Sequence, residues 1–270
     1  MDISFSKNLY NMQNVRSSKL HIGKNSFIHP TAEISGINGE AEEICIGDNV
    51  YIGERVRITC DNFILGDYSK IHHDTNVHGY KPCKIGHNAW IGQFCIIDSI
   101  GGTTLGDNCG VGAHSQLWSH IKYGDTLEGC RFLTDRPLNI GNDVWFVGHC
   151  IVSPVTAHDR SMAMVGSVVT KDMNYNEIYA GAPAKSISDK IGFQFEETTV
   201  ETKRNKMISL LKEFGNNHLL KIVEDDSEIN FNDNISYFNV KTRKYKKTSS
   251  QAEIDFMHFL LPAKAKFTPY

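Results

Sequence analysis

One histidine in the middle of the chain has the chemistry of a general base. His120 lies in residues 118–139, the longest stretch there without a period of its own. Imidazole titrates near neutral pH, so it can take a proton from an attacking hydroxyl or amine without being permanently charged. Long loops in compact domains are more often functional than decorative. A solvated loop histidine is the alternative, and the elements around the loop must decide between the two.

Those elements form a six-residue repeat that is most legible from Ile46 to Val152. An aliphatic residue returns about every six residues, often with glycine after it, and continues at Ile58 and Ile64 and, after a one-residue slip, at Ile71. Two inward positions per six residues suit short strands joined by tight turns, whereas a helical period would lose this register. Glycine, asparagine and aspartate supply the turns. The sequence predicts a prism of stacked triangular coils, each of about eighteen residues.

This repeat resembles that of the hexapeptide-repeat acyltransferases, in particular their sugar and xenobiotic O-acetyltransferase branch. The resemblance implies a mainly β fold, a left-handed parallel β-helix, which is an exception to the usual right-handed crossover. In that branch a histidine in such a loop lies just before a return of the form I-G-x-x-V-W, and His120 followed by residues 140–145 matches the pattern. Noncatalytic subunits share the prism, so function depends on the site.

The end of the prism carries the most specific motifs. Residues 165–172 and 180–187 closely resemble the closing coils of coenzyme-A-dependent members. The resemblance implies that acetyl-CoA lies along the groove between two prisms of a homotrimer, with backbone groups near the pantetheine and lysines near the phosphates. The implied cofactor contacts are Gly148, Val165, Thr170, Lys171 and Lys185. Between Val155 and Met162 the chain departs from the family pattern, which leaves the path of the cofactor open.

Three further side chains are candidates for contact with the substrate. A carboxylate near the base would either orient the imidazole or bind sugar hydroxyls, and the resemblance places an acidic substrate-binding residue near Asp98, with Gln93 shortly before it. His114 should point outward from its coil, could line the same cleft and competes with His120 for the role of base. An ordinary turn aspartate is the alternative for Asp98.

Two other classes of function compete with an acyltransferase. His73 and His78 resemble the zinc pair of the γ-class carbonic anhydrases, but zinc there needs a third protein ligand from the preceding coil, where Asp48 stands and no histidine does. We therefore expect no metal site. A noncatalytic scaffold or binding subunit would account for the altered coil and for residues 188–270.

Composition sets the outer bounds. The net charge is only −3 over 270 residues, and charged residues of both signs are present. This balance gives no reason to expect nucleic-acid or membrane binding. Residues 1–19 lack an apolar signal region and no run is long enough to span a bilayer, so we expect a cytoplasmic protein. Cys95, Cys109 and Cys150 occupy small inward positions of the repeat, which predicts core residues in a reducing compartment.

The chain is predicted to contain an N-terminal arm (1–21), the β-helix (22–187) and a small C-terminal α+β appendage (188–270). In the appendage we expect a helix over residues 199–214, a pair of strands over residues 229–245 around Asn232-Asp233-Asn234, and a second helix that begins with a capping box at Ser250 and stops at Pro262.

These expectations combine into one function. The sequence predicts a homotrimeric acetyltransferase in which His120 deprotonates a sugar hydroxyl or amine as it attacks acetyl-CoA directly, while backbone N–H groups hold the developing oxyanion. Family association alone indicates a sugar destined for a cell-surface polysaccharide. The sequence does not decide whether the acceptor group is a hydroxyl or an amine, or whether the transferred group is acetyl or a larger acyl group.

Overall fold

The computed structural model describes residues 14–261 and 263–270. The described chain divides into two compact units, of which the first ends at Gln194 and the second is Phe195–Tyr270. The first unit is a parallel β-helix with three sheets, so the predicted prism is confirmed. No helix in the described part of the chain is long and apolar enough to cross a membrane.

Each sheet takes its strands from successive coils. Sheet one contains β1 (Ser17–Ile22), β4 (Ala41–Ile46), β7 (Asn62–Leu65), β10 (Cys83–Ile85), β13 (Thr103–Leu105), β18 (Leu138–Ile140) and β21 (Thr156–Ala157). Sheet two contains β2 (Phe27–Ile28), β5 (Tyr51–Ile52), β8 (Lys70–Ile71), β11 (Trp90–Ile91), β14 (Gly110–Val111), β19 (Trp145–Phe146), β22 (Met162–Ala163), β24 (Ile178–Ala180) and β25 (Lys185–Ser186). Sheet three contains β3 (Glu33–Ser35), β6 (Arg57–Cys60), β9 (Asn76–Gly79), β12 (Ile96–Asp98), β15 (Gln116–Leu117), β20 (Ile151–Val152) and β23 (Val168–Val169).

The core is a set of aliphatic columns inside the three sheets. Residues paired in register stack from coil to coil, as Ile52 does on Ile71, and both side chains are completely buried. Removing such side chains from water is the main favourable term for a fold of this kind. At β7 the inward residue is Leu65, which pairs with Ile46, whereas Ile64 is 38% exposed; the one-residue slip therefore falls before Ile64 and not after it.

The predicted small inward cysteines are confirmed as core residues. Cys95, Cys109 and Cys150 are all at most 1% exposed. Burial raises the pKa of the Cys95 thiol to about 11, which keeps it protonated and unreactive near neutral pH.

The corner between sheets one and two is held by a ladder of side-chain acceptors. At each rung a side chain accepts a hydrogen bond from a backbone N–H one coil earlier, as Asp107 Oδ1 does from His87 N at 2.7 Å. His87 takes the acceptor role at its own rung through Nδ1, which receives Asp67 N at 2.9 Å. The other acceptors are Asp48, Asp67, Asn142 and Asp159.

Replacing Asp107 with alanine is expected to destabilise the protein by about 1–2 kcal/mol, because the His87 N–H would lose its acceptor. The midpoint of urea denaturation measures the loss. Asp107→Asn is the matched control, since asparagine keeps an amide oxygen and Asn142 fills the next rung in this way. Equal midpoints for the two variants would show that the ladder contributes nothing.

The N-terminal boundary of the β-helix lies earlier than predicted. Residues 17–21, which the sequence analysis places in the arm, belong to β1, and β1 pairs in parallel with β4 from Ser17 to Ile22. Their weak period reflects a mostly exposed first strand. The part of the predicted arm before Asn14 lies outside the described residues. At the other end of the unit, β25 is followed by α1 (Ser188–Ile191).

The second unit is a small α+β fold. It contains α2 (Val200–Phe214), β26 (Leu220–Val223), a 3-10 helix (Asp226–Glu228), β27 (Ser236–Asn239), β28 (Lys244–Tyr245), α3 (Gln251–Leu260) and β29 (Thr268–Pro269). The strands form one sheet in the order β26-β27-β28-β29. The helix predicted over residues 199–214 is confirmed, with Thr199 as its N-cap and Gly215 at φ 109° after its last turn.

The strand pair predicted within residues 229–245 is present, but its turn does not lie at residues 232–234. Residues 232–234 precede β27, the antiparallel pair is β27 with β28, and the chain turns through residues 240–243. The second helix is confirmed, and Ser250 accepts from Glu253 N. The Glu253 carboxylate does not complete a capping box: it is completely buried and accepts from Ser236 Oγ at 2.7 Å. The predicted stop at Pro262 lies outside the described residues.

Candidate functional site

The long loop leaves the β-helix at the corner between sheets three and one. After β15 the chain runs outward and forms an antiparallel pair of short strands, β16 (Ile121–Lys122) and β17 (Leu133–Thr134), before it returns at β18. His120 lies at the start of the loop, where the chain leaves the β-helix, directly before β16. Its ring is therefore anchored to the rigid coil rather than to the projecting tip.

His120 is paired with a buried carboxylate. Its Nδ1 lies 2.9 Å from Oδ2 of Asp98, the last residue of β12, and Asp98 is 0% exposed while the His120 side chain is 20% exposed. In the neutral ring this contact favours the proton on Nδ1, which leaves the lone pair of Nε2 free to act as a base. Pairing of an imidazole with an orienting carboxylate is the arrangement that general-base catalysis uses.

The neighbouring serine fixes the same carboxylate oxygen. Ser119 donates to Asp98 Oδ2 from its backbone N–H at 2.9 Å and from Oγ at 2.6 Å. Gly101 N in turn donates to Ser119 Oγ at 2.9 Å. Glycine is required there because a Cβ on Gly101 would lie 2.1 Å from the Ser119 carbonyl oxygen. Asp98 Oδ2 thus receives three donors, and the serine is held in place by close backbone packing.

A second histidine approaches Asp98 from the preceding coil. His78 of β9 is the register partner of Asp98, and its Nε2 lies 3.4 Å from Oδ1. The carboxylate is therefore flanked by imidazoles from the coils before and after its own.

His120 opens onto a polar cleft of about 540 Å³. The cleft carries charges of both signs, and Lys81 Nζ lies 3.7 Å from Asp135 Oδ2. Such a surface suits a hydroxyl-rich or charged molecule better than an apolar one. The lining residues are Tyr80, Lys81, Ile100, His120, Lys122 and Asp135.

Asp98 does not have the surface position expected of a substrate contact. It is completely buried, and its Oδ2 is occupied by Ser119 and His120. Of the two roles that the sequence left open for a carboxylate near the base, this geometry favours orientation of the imidazole.

Gln93 and His114 are not brought to His120 within the chain. Both lie at the corner between sheets two and three, one strand away from the corner that holds His120. The His114 ring is stacked between Phe94 and His149, with centroid distances of 5.0 and 4.8 Å. Its backbone has φ 59°, a turn position, so its side chain belongs to an aromatic column along that corner.

The five residues implied to contact acetyl-CoA lie in separate places on the last coils. Gly148 and Val165 are neighbours at the corner between sheets two and three, where Gly166 N donates to Gly148 O at 2.9 Å and Val165 is 61% exposed. Thr170 and Lys171 follow β23 at the next corner, and Lys185 is exposed in β25. Their contact with the cofactor stays a prediction.

The altered coil closes without loss of the core. Ala157 is 0% exposed in β21, where it pairs with Ile140 and bridges to Met173, which is also completely buried. His158 points to the exposed side, and Asp159 continues the acceptor ladder. The departure from the family pattern thus leaves the inward positions of this coil filled, by Val155 and Ala157.

The histidines of the zinc alternative diverge. His72 packs between Tyr51 and Trp90, and burial lowers its pKa. His73 Nδ1 pairs with Asp74 Oδ2 at 2.7 Å, whereas His78 faces Asp98. Within residues 14–261 and 263–270 no three His, Cys, Asp or Glu side chains are grouped as metal ligands.

Ser119 and the contact of His78 with Asp98 were missed by the sequence analysis. One signal in the sequence could have found them. His78 and Asp98 each follow an inward aliphatic residue, His120 lies at the same corner, and the three are about one coil apart. In a β-helix, residues one coil apart stack on each other, so that spacing places all three together.

The chain is similar in sequence to curated acetyltransferases. It is 43% identical over 54 residues to the galactoside O-acetyltransferase of Escherichia coli (strain K12), which is 20% of this chain and 27% of the relative. It is 32% identical over 140 residues to a Staphylococcus aureus (strain MRSA252) protein named as an acetyltransferase, which is 50% of this chain and 66% of the relative. The match thus spans less than two thirds of each relative's length. No family model matches.

Solved structures of acyltransferases are similar at low identity. A maltose O-acetyltransferase from Clostridium difficile 630 has 22% identity and a TM-score of 0.37 over 57% of this chain and 70% of that chain. A mutant of AntD, an N-acyltransferase from Bacillus cereus in complex with dTDP-4-amino-4,6-dideoxyglucose and coenzyme A, has 17% identity and a TM-score of 0.47 over 75% of this chain and 91% of that chain. Similarity at this level does not establish the fold, which follows instead from the strand pairing of the chain itself.

Proposed function

Because the chain belongs to the hexapeptide-repeat acetyltransferase family, we propose that it transfers an acetyl group from acetyl-CoA to a hydroxyl or amine of a sugar. The observation that carries the proposal is the pair of His120 and Asp98 at the mouth of a polar cleft. The similarity to a galactoside O-acetyltransferase supports a sugar as the acceptor.

His120 is the general base of the proposed reaction. Its Nε2 takes the proton of the acceptor hydroxyl or amine while the acceptor atom forms a bond to the thioester carbonyl carbon. The carbon–sulfur bond then breaks, and the proton on His120 passes to the departing thiolate of coenzyme A. Asp98 stabilises the positively charged ring between the two proton transfers, because its Oδ2 accepts from Nδ1. Atoms and charge balance without a covalent acyl-enzyme.

The assembly and the setting of the reaction rest on the family alone. We propose a homotrimer with coenzyme A in the groove between two β-helices, an acceptor sugar of a cell-surface polysaccharide and a cytoplasmic location. Lys171 and Lys185 are exposed on the last coils, where the phosphates of coenzyme A would need positive charge.

Calorimetric titration of acetyl-CoA and of coenzyme A tests the acyl donor. Both ligands are expected to bind the wild type with a micromolar Kd, and Lys171→Ala is expected to weaken binding roughly tenfold or more, because a hydrogen bond between charged groups is lost. Lys19→Ala is the control, since Lys19 is an exposed lysine at the opposite end of the β-helix. If neither ligand binds the wild type, acetyl-CoA is not the donor.

A further inference from the structure

The Asp98 carboxylate is held unequally at its two oxygens. Oδ2 receives the Ser119 N–H, the Ser119 hydroxyl and His120 Nδ1. Oδ1 is buried and has no hydrogen-bond partner among the described residues, and the side-chain nitrogen that approaches it is His78 Nε2 at 3.4 Å. A buried carboxylate oxygen without a donor is costly, so this approach has an energetic role.

The position of His78 is set by the fold rather than by a flexible loop. It lies in β9 in register with Asp98, and its carbonyl oxygen accepts from Ser99 N at 2.6 Å. Its Nδ1 is buried without a hydrogen-bond partner in the described chain, although the side chain as a whole is 31% exposed. Among the described residues, the polar contact of the ring is therefore the one with Asp98 Oδ1.

The other groups around Asp98 cannot replace His78 as a donor of comparable strength. Cys60 and Cys83 lie close enough for the charge of Asp98 to act on their thiols. Burial, with the charges of Asp61 and Asp98, raises the pKa of Cys60 to about 12. Burial also raises the pKa of Cys83. A protonated thiol is only a weak hydrogen-bond donor.

We propose that His78 is a positioning residue that donates from Nε2 to Asp98 Oδ1 and thereby keeps Oδ2 aimed at His120 Nδ1. With donors at both oxygens the carboxylate cannot rotate about its Cβ–Cγ bond, and His120 keeps the tautomer with a free Nε2. Contacts of this kind are often long in the free enzyme and tighten when the reacting groups assemble. The inference rests on the proposed role of His120 as the general base.

Kinetics of two His78 variants separate donation from packing. His78→Leu removes the donor and is expected to lower kcat about 10–100-fold with KM changed less than about twofold, in line with the loss of a residue that orients a functional histidine. His78→Gln places its amide nitrogen near the position of Nε2 and is expected to stay within about threefold of the wild type. His21→Leu is the control, because His21 is an exposed residue of β1. Equal losses in the leucine and glutamine variants would overturn the proposal.

Nitrogen NMR of the histidine rings tests the inference without any activity. In ¹⁵N-histidine-labelled protein, the His120 signals are identified by their absence in His120→Gln. The wild type is expected to show the Nδ1–H tautomer of His120, and His78→Leu is expected to show a mixture of tautomers. Unchanged His120 signals in His78→Leu would overturn the proposal. A tautomer change in a protein that binds no acetyl-CoA would instead support the positioning role and reject the acetyltransferase.

A variant that does not fold is covered by a third substitution. His78→Asn places its amide nearer to the position of Nδ1 and too far from Asp98, so it is expected to behave like His78→Leu while remaining polar. If His78→Leu is unfolded, a loss in the asparagine variant with retention in the glutamine variant supports the proposal. Equal behaviour of those two variants contradicts it.

Discussion

Replacement of His120 by alanine is expected to lower kcat by about 10²–10⁴-fold, because general-base catalysis by a positioned side chain contributes that much. The binding of acetyl-CoA should change little, since the contacts implied for the cofactor lie on the last coils. Initial rates with a panel of sugar acceptors give kcat, and calorimetry on the same preparation gives the Kd of acetyl-CoA. His21→Ala is the control for the loss of an exposed imidazole.

His114, the competing candidate for the base, is tested in the same experiment. His114 is stacked between Phe94 and His149 at another corner, so His114→Ala is expected to cost far less activity than His120→Ala. If the two losses were reversed, the base would lie at the corner between sheets two and three and the pair with Asp98 would be structural. Wild-type rates in both variants would show that neither histidine is the base, whereas undiminished function in cells that carry a catalytically inactive His120→Ala would favour the scaffold alternative.

The β-helix could be predicted because the same pattern of inward aliphatic residues recurs in many coils. Each coil buries an aliphatic residue at the position that stacks on the coil before it, as Ile52 does on Ile71, so one error does not change the result. The local slip at Ile64 shows the limit: neighbouring isoleucine and leucine residues are equally apolar, and only pairing of Leu65 with Ile46 decides which one faces inward.

The partners of His120 were harder to predict because they depend on which corner each residue occupies. Gln93 and His114 are close to Asp98 and His120 in sequence, but one strand of sheet three separates the two corners. His78 is distant in sequence and adjacent in space, since β9 and β12 pair in register. The burial of Asp98 could not be read from the sequence, because Asp98 is the last residue of β12 and residues of the next coil, Ser119 and His120, enclose its carboxylate.

The second unit shows what is lost without a repeat. Its first helix was predicted from an apolar stripe that ends at Gly215, and its second from the capping pattern at Ser250. The strand pair was misplaced because Asn232-Asp233-Asn234 has the composition of a hairpin turn, while the real turn at residues 240–243 includes Arg243 at φ 58°. A left-handed turn at arginine is uncommon, so composition gives little warning of it.

Asp98→Asn is expected to reduce kcat by about 10²–10⁴-fold while KM stays within about threefold. The amide has no negative charge with which to stabilise the protonated His120 ring that forms in the reaction. When the amide nitrogen takes the position of Oδ2, it also presents a donor to Ser119 N, Ser119 Oγ and His120 Nδ1, and the ring then carries its proton on Nε2, where it is no longer a base.

The split between kcat and KM decides which role Asp98 has. A residue that bound sugar hydroxyls directly would raise KM when replaced, whereas a buried residue that acts through His120 lowers kcat. The control is Asp107→Asn, another aspartate to asparagine change at a carboxylate that accepts a backbone N–H, and it lies on a different corner. A rise in KM with kcat preserved in Asp98→Asn would show that the cleft opens far enough for substrate to reach Asp98, and His120 would then need another partner to fix its tautomer.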